Sequence, residues 1–152
     1  DEVADEYVEQ VTTPAEVSFE KAHVVKAIEI ENLCYIYIKK QYSRNYDVQQ
    51  NVKIDSYGCD ILAISKKNEM DYLFEIKYWI RYPSISFFYR VARRMDEMKA
   101  IYESKTQRNC KCILMIVTLD ESKEDIQNFC NRYINGHPLP FDIKVNTEAD
   151  LK

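Results

Sequence analysis

Glycine and proline are scarce, at 2 and 4 residues in a chain of 152. Together with the hydrophobic content, that scarcity excludes a collagen-like fibre, a loop-rich disulfide scaffold and a disordered tail. The 46% hydrophobic and 12% aromatic content is enough for one sizeable core at this length. Long hydrophobic runs are missing as well. The longest, such as Cys112 to Val117, is far below the roughly 18 residues that span a bilayer, and no basic-then-apolar leader opens the sequence. A soluble protein with no membrane partner is expected. Histidine is nearly absent, and the 5 cysteines (Cys34, Cys59, Cys110, Cys112, Cys130) are odd in number with no CxxC pair. With only His23 and His137 to join them, they argue against zinc and read as reduced thiols in a cytoplasmic protein.

Positive charge is missing from the first 20 residues, which carry -7; the other 132 carry +3, within a net charge of -4. This acidic stretch has little hydrophobic periodicity and runs into Pro14. It predicts a linker or arm over 1–17, a folded domain over 18–147 and a short C-terminal tail over 148–152. A first residue of Asp rather than Met suggests a piece of a larger protein with further domains.

Phe19 to about Gln41 contains no Gly or Pro and predicts a long first helix. Its best stripe is Val24, Ala27, Ile28, Glu31, Cys34, Tyr35 and Ile38. Glu31 is out of place in that apolar face, where it either pairs with a lysine or does chemistry. Three extended segments follow: Tyr46–Ile54, Asp60–Ser65 after the turn residues 55–58, and Tyr72–Trp79 after the polar stretch 66–69. They predict an antiparallel meander. A period of two places Leu73, Glu75, Lys77 and Trp79 on one face of the third strand. If its hairpin is centred between Lys67 and Asn68, Asp60 lies opposite Glu75.

Two carboxylates facing each other within a hydrophobic sheet repel by up to about 1 kcal/mol, and partial burial raises the cost. A divalent cation removes the conflict. Hard oxygen donors suit magnesium or manganese, which take one or two carboxylates with waters and substrate phosphate. Lys77 points to the same spot, where an ammonium can orient a water or stabilise charge developing on phosphate. A lone Glu-x-Lys triplet would more simply be a structural ion pair.

The ordered set, however, resembles a known superfamily. Gly58-Cys59-Asp60, then Glu75-Ile76-Lys77, in a strand hairpin preceded by a helix carrying Glu31, looks like the PD-(D/E)xK nucleases. Cys59 stands where many members have proline. The resemblance spans about Phe19 to Thr118. It implies an α/β fold with a restriction-endonuclease-like core, in the order helix-strand-strand-strand-helix-strand, with a mixed central sheet and helices on both faces. It also implies a magnesium or manganese site made by Asp60, Glu75 and the carbonyl of Ile76, a catalytic Lys77, and a Glu31 beside the metal. Glu20, on the same helical face, is the fallback for Glu31.

Downstream, Ser86 to about Lys105 has helical spacing, Cys110–Leu119 is a continuous apolar run fit for a buried strand, and Glu121–Ile134 predicts a third helix ended by Asn135-Gly136. Phe141–Val145 adds an edge strand. Cys110 and Cys112 read as core filling. Residues 77–99 carry a local +4 with interleaved aromatics. Arg81, Arg90, Arg93 and Arg94 are therefore candidate contacts to nucleic acid, DNA ahead of RNA. The expectation is a metal-dependent endonuclease domain, with a homodimer as one possible assembly. The alternative is a non-catalytic nucleic-acid- or protein-binding module on the same fold.

Overall fold

In a computed structural model, the described residues are 14–81, 84–136 and 141–152, with side chains from Val24 onward and Asn135 excepted. Helix α1 spans Pro14–Tyr42, so its backbone starts upstream of the expected Phe19 and takes in residues 14–17 of the proposed arm. Residues 1–13 of that arm, and the side chain of Glu20, lie outside the described residues. Ala27, Ile30, Cys34 and Ile38 form the buried face of α1, while Ile28 is exposed. Ile28 was expected in the stripe and Ile30 was not. Because α1 carries apolar residues on every side, with Val25 and Ile36 also exposed, spacing alone does not select its inner face.

Strands β1 (Tyr46–Ile54), β2 (Tyr57–Ser65) and β3 (Asp71–Tyr78) follow. The β1–β2 turn is only Asp55-Ser56, and Tyr57 and Gly58, expected in the turn, belong to β2. Asp55 supplies the left-handed φ of 57° that so tight a turn needs. Next come helix α2 (Ile85–Thr106), strand β4 (Cys110–Thr118), helix α3 (Lys123–Gly136) and strand β5 (Phe141–Thr147). Ser84 caps α2 by accepting the Phe87 amide at 3.1 Å. Glu121 and Ser122, expected inside α3, belong instead to a separate 3-10 turn over Asp120–Ser122.

The sheet order is β1-β2-β3-β4-β5. β1, β2 and β3 are antiparallel, and β3, β4 and β5 are parallel. This is the mixed α/β sheet expected of the restriction-endonuclease-like core, with helices on both faces. α1 packs on one face with Phe74, Ile76, Ile113 and Met115. α2 and α3 cover the other, burying Leu73, Leu114, Phe88, Met95 and Ile126. β4 is thus enclosed on both sides, which explains its unbroken apolar run. Cys110 and Cys112 are core residues, and all five thiols are buried and unbridged.

The hairpin of β1 and β2 is not flat. Val48, Ile61 and Ala63 pack on the α1 side, whereas Val52, Ile54 and Cys59 pack on the α2 side. The paired positions Gln50–Ile61 and Val52–Cys59 flank a break at Asn51 and Asp60. Asn51 has a φ of 55° there.

At the opposite end of β3, buried Asp71 accepts hydrogen bonds from the Ser65 amide (2.8 Å), Tyr102 (2.6 Å) and two nitrogens of Arg108 (2.7 and 2.9 Å). Residues 148–152, expected as a C-terminal tail, fold against the domain. Leu151 is buried on the α1 face, and Asp150 accepts from the Thr147 amide and Lys123, at 2.8 and 2.9 Å.

Candidate active site

The β2–β3 register is the one expected, with Ile61, Leu62 and Ala63 opposite Phe74, Leu73 and Tyr72. The ladder then stops, one step short of an Asp60–Glu75 pair. Asp60 turns its carboxylate onto β3, where Oδ2 accepts the Ile76 amide at 2.7 Å. Beyond Ile61–Phe74 the strands leave a cleft of about 310 Å³, reached by Glu31, Asp60, Glu75, Ile76, Lys77 and Arg94. Because the ladder has ended, the cleft is open to side chains from both faces. Glu31 enters it from α1 and Arg94 from α2.

Glu75 and Lys77 are both only 2% exposed, and Lys77 Nζ lies 3.6 Å from Glu75 Oε1. Arg94 Nε is 3.9 Å from the same oxygen. Three carboxylates and two cations therefore share a poorly solvated space. Burial is the main cause that pushes the Glu31 carboxyl up to about 7; Asp60 adds to the shift and Lys77 opposes it. Burial, reinforced by Glu75 and Asp60, also pushes the Cys59 thiol well up, so it stays a neutral thiol.

Asp60, Glu75 and the Ile76 carbonyl offer hard oxygen donors to a cation. Among the described residues no three His, Cys, Asp or Glu side chains form a metal cage. Two carboxylates and a carbonyl are the hard-oxygen donor chemistry that suits magnesium or manganese, with water and phosphate to complete the shell, and differ from the Cys- and His-rich sets typical of structural zinc.

The four arginines separate. Arg94 is in the cleft, its Nη2 donating to the Gly58 carbonyl at 2.9 Å and its guanidinium 5.2 Å from the Tyr57 ring. Arg90 lies over the Phe87 ring at 5.4 Å, and Lys77 is 5.8 Å from the same ring. Arg93 is exposed and pairs with Glu97 at 3.2 Å. Arg81 is exposed on the segment after β3. Sequence reasoning read Arg94 as a nucleic-acid contact, without its approach to Glu75, and overlooked Asn51 and Tyr57. The α2 spacing did carry one signal, since Arg94 falls on the apolar stripe between Val91 and Met98.

No helix among the described residues is long and apolar enough to cross a membrane. No family model matches the sequence, and a search of curated proteins finds no match. Among solved structures, the chain is similar to a repair endonuclease from Pyrococcus abyssi at 12% identity and a TM-score of 0.47, over 77% of this chain and 46% of that one. The chain thus spans less than half the length of that protein.

Proposed function

We propose that this domain hydrolyses phosphodiester bonds of nucleic acid, DNA ahead of RNA, with magnesium or manganese. The observation that supports it is the meeting of Glu31, Asp60, Glu75 and Lys77 in one cleft, although they come from three elements and both faces of the sheet. A structural Glu75–Lys77 pair needs no Asp60 or Glu31 beside it, and clustering three carboxylates is costly unless a cation is to be bound.

In this reading Asp60, Glu75 and the Ile76 carbonyl hold the metal. A cation held there would supply an activated water and offset charge on the scissile phosphate. Lys77, held at Glu75 Oε1, orients the attacking water and stabilises charge on the phosphate oxygens. Glu31, with a carboxyl near 7, is poised to accept a proton from water at neutral pH. Arg94 neutralises part of the carboxylate cluster, and Arg90, Arg93 and Arg81 lie outside the cleft, where a polyanion would run.

The test is cleavage of end-labelled single- and double-stranded DNA and RNA with magnesium, with manganese and with chelator. Products that accumulate only with metal support the reading; their absence on all substrates refutes it. A second reading is favoured by the approach of both Lys77 and Arg94 to Glu75. Charge balance achieved by protein alone suits a non-catalytic nucleic-acid-binding module. A gel shift of the same labelled substrates, with no cleavage under any metal condition, would select it.

A further inference from the structure

We propose that Asn51 is a positioning residue for Asp60: its left-handed backbone turns the β1–β2 hairpin from one core to the other and thereby aims Asp60 into the cleft. The proposal rests on the proposed function only for what Asp60 then does.

A regular strand keeps residues i and i+2 on one face. On β1, Val48 packs on the α1 side, so Val52 and Ile54 should follow it; both pack on the α2 side instead. On β2, Ile61 and Ala63 pack on the α1 side, and Cys59 on the α2 side. Both strands change face at one level, where the pairing between Gln50–Ile61 and Val52–Cys59 is broken. At that level Asn51 has a left-handed φ of 55°. Left-handed φ is rare outside glycine, and asparagine is among the few side chains enriched there.

The turned tip is then fixed to α2. Arg94 donates to the Gly58 carbonyl at 2.9 Å, Tyr57 donates to Glu97, and Lys105 pairs with Asp55 at 2.9 Å. Asp60 sits at the pivot. In an uninterrupted ladder it would stand opposite Glu75; at the break its carboxylate reaches across to the Ile76 amide at 2.7 Å.

The measurement is amide hydrogen exchange in the parent, N51G and N51A. The reporter is the Ile76 amide, and the references are the Asp71 and Trp79 amides, which donate to the Asn109 and Val117 carbonyls. Asn51 is exposed, so neither variant removes core packing. Glycine adopts the left-handed conformation freely, and N51G should keep Ile76 protection within about threefold. N51A should lower Ile76 protection about tenfold or more while leaving Asp71 and Trp79 unchanged. Equal protection in N51A and N51G, or an equal loss at all three amides, would overturn the proposal. A parallel titration with magnesium alone should show about tenfold weaker binding to N51A than to N51G. If the parent binds no magnesium, the proposed function fails, while the exchange result still decides the role of Asn51.

Discussion

Replacing Asp71 with asparagine tests what holds the far end of β3. Asp71 is fully buried and accepts from the Ser65 amide, Tyr102 and both Arg108 nitrogens. Asparagine keeps the volume but offers one acceptor oxygen and turns an amide donor toward groups that are themselves donors. Breaking a buried charge pair typically costs about 3–5 kcal/mol. The Arg108 side chain is 25% exposed and can recover water, so the lower end, about 3 kcal/mol, applies. With a urea slope of about 2 kcal/mol per molar, the midpoint should fall by about 1.5 M at pH 7. Burial alone would raise the Asp71 pKa, but hydrogen bonds from Arg108, Tyr102 and the Ser65 amide hold it below its ordinary 3.8. Its contribution is therefore fully present above about pH 4 and disappears as pH falls through the lowered folded value. The gap between parent and Asp71→Asn should narrow as the pH is taken below 3. Trp79, the single tryptophan and only 3% exposed, is the fluorescence reporter. A loss below about 1 kcal/mol at pH 7, or a gap that does not narrow in acid, would refute the reasoning.

Lys77→Ala should still bind magnesium and nucleic acid but lower cleavage by about 10² or more, the scale of one acid-base or charge-stabilising group; separate calorimetric and gel measurements check it. Glu31→Gln should fold normally and lose cleavage. In chelator it should also raise stability above pH 7 and leave it unchanged below about pH 4.5, because a carboxyl raised from 4.5 to about 7 opposes folding only once ionised; urea unfolding at pH 4 and pH 8 reads this. Arg94→Ala should weaken the hold on the β1–β2 turn, speeding exchange at Tyr57 and Gly58 before the central sheet opens.

Much of this architecture is readable from sequence because period and punctuation agree. The Lys66–Glu69 stretch sets the hairpin centre, and with it the Ile61–Phe74 register that brings Asp60 and Glu75 to one level. The apolar run at Cys110 marks a strand covered on both sides. Three features escape such reading. α1 is apolar all round, so its inner face is chosen by the sheet and not by its own pattern. Asn51 ends a polar run, Gln49-Gln50-Asn51, and the apolar residues on either side, Tyr46, Val48, Val52 and Ile54, keep one parity, so the change of face leaves no trace in the pattern. Arg94 falls on the apolar stripe of α2, which marks it as inward, but its partner is not readable: only the position of α2 over the end of the β2–β3 ladder brings it to Glu75.

The most direct test is magnesium titration by calorimetry, with a cleavage assay on the same samples, for the parent and Asp60→Ala. Asp60 is proposed as a metal ligand, so the account predicts that magnesium affinity and cleavage fall together in the variant while the fold persists. An Asp60→Ala protein that binds magnesium and cuts as the parent does would contradict it.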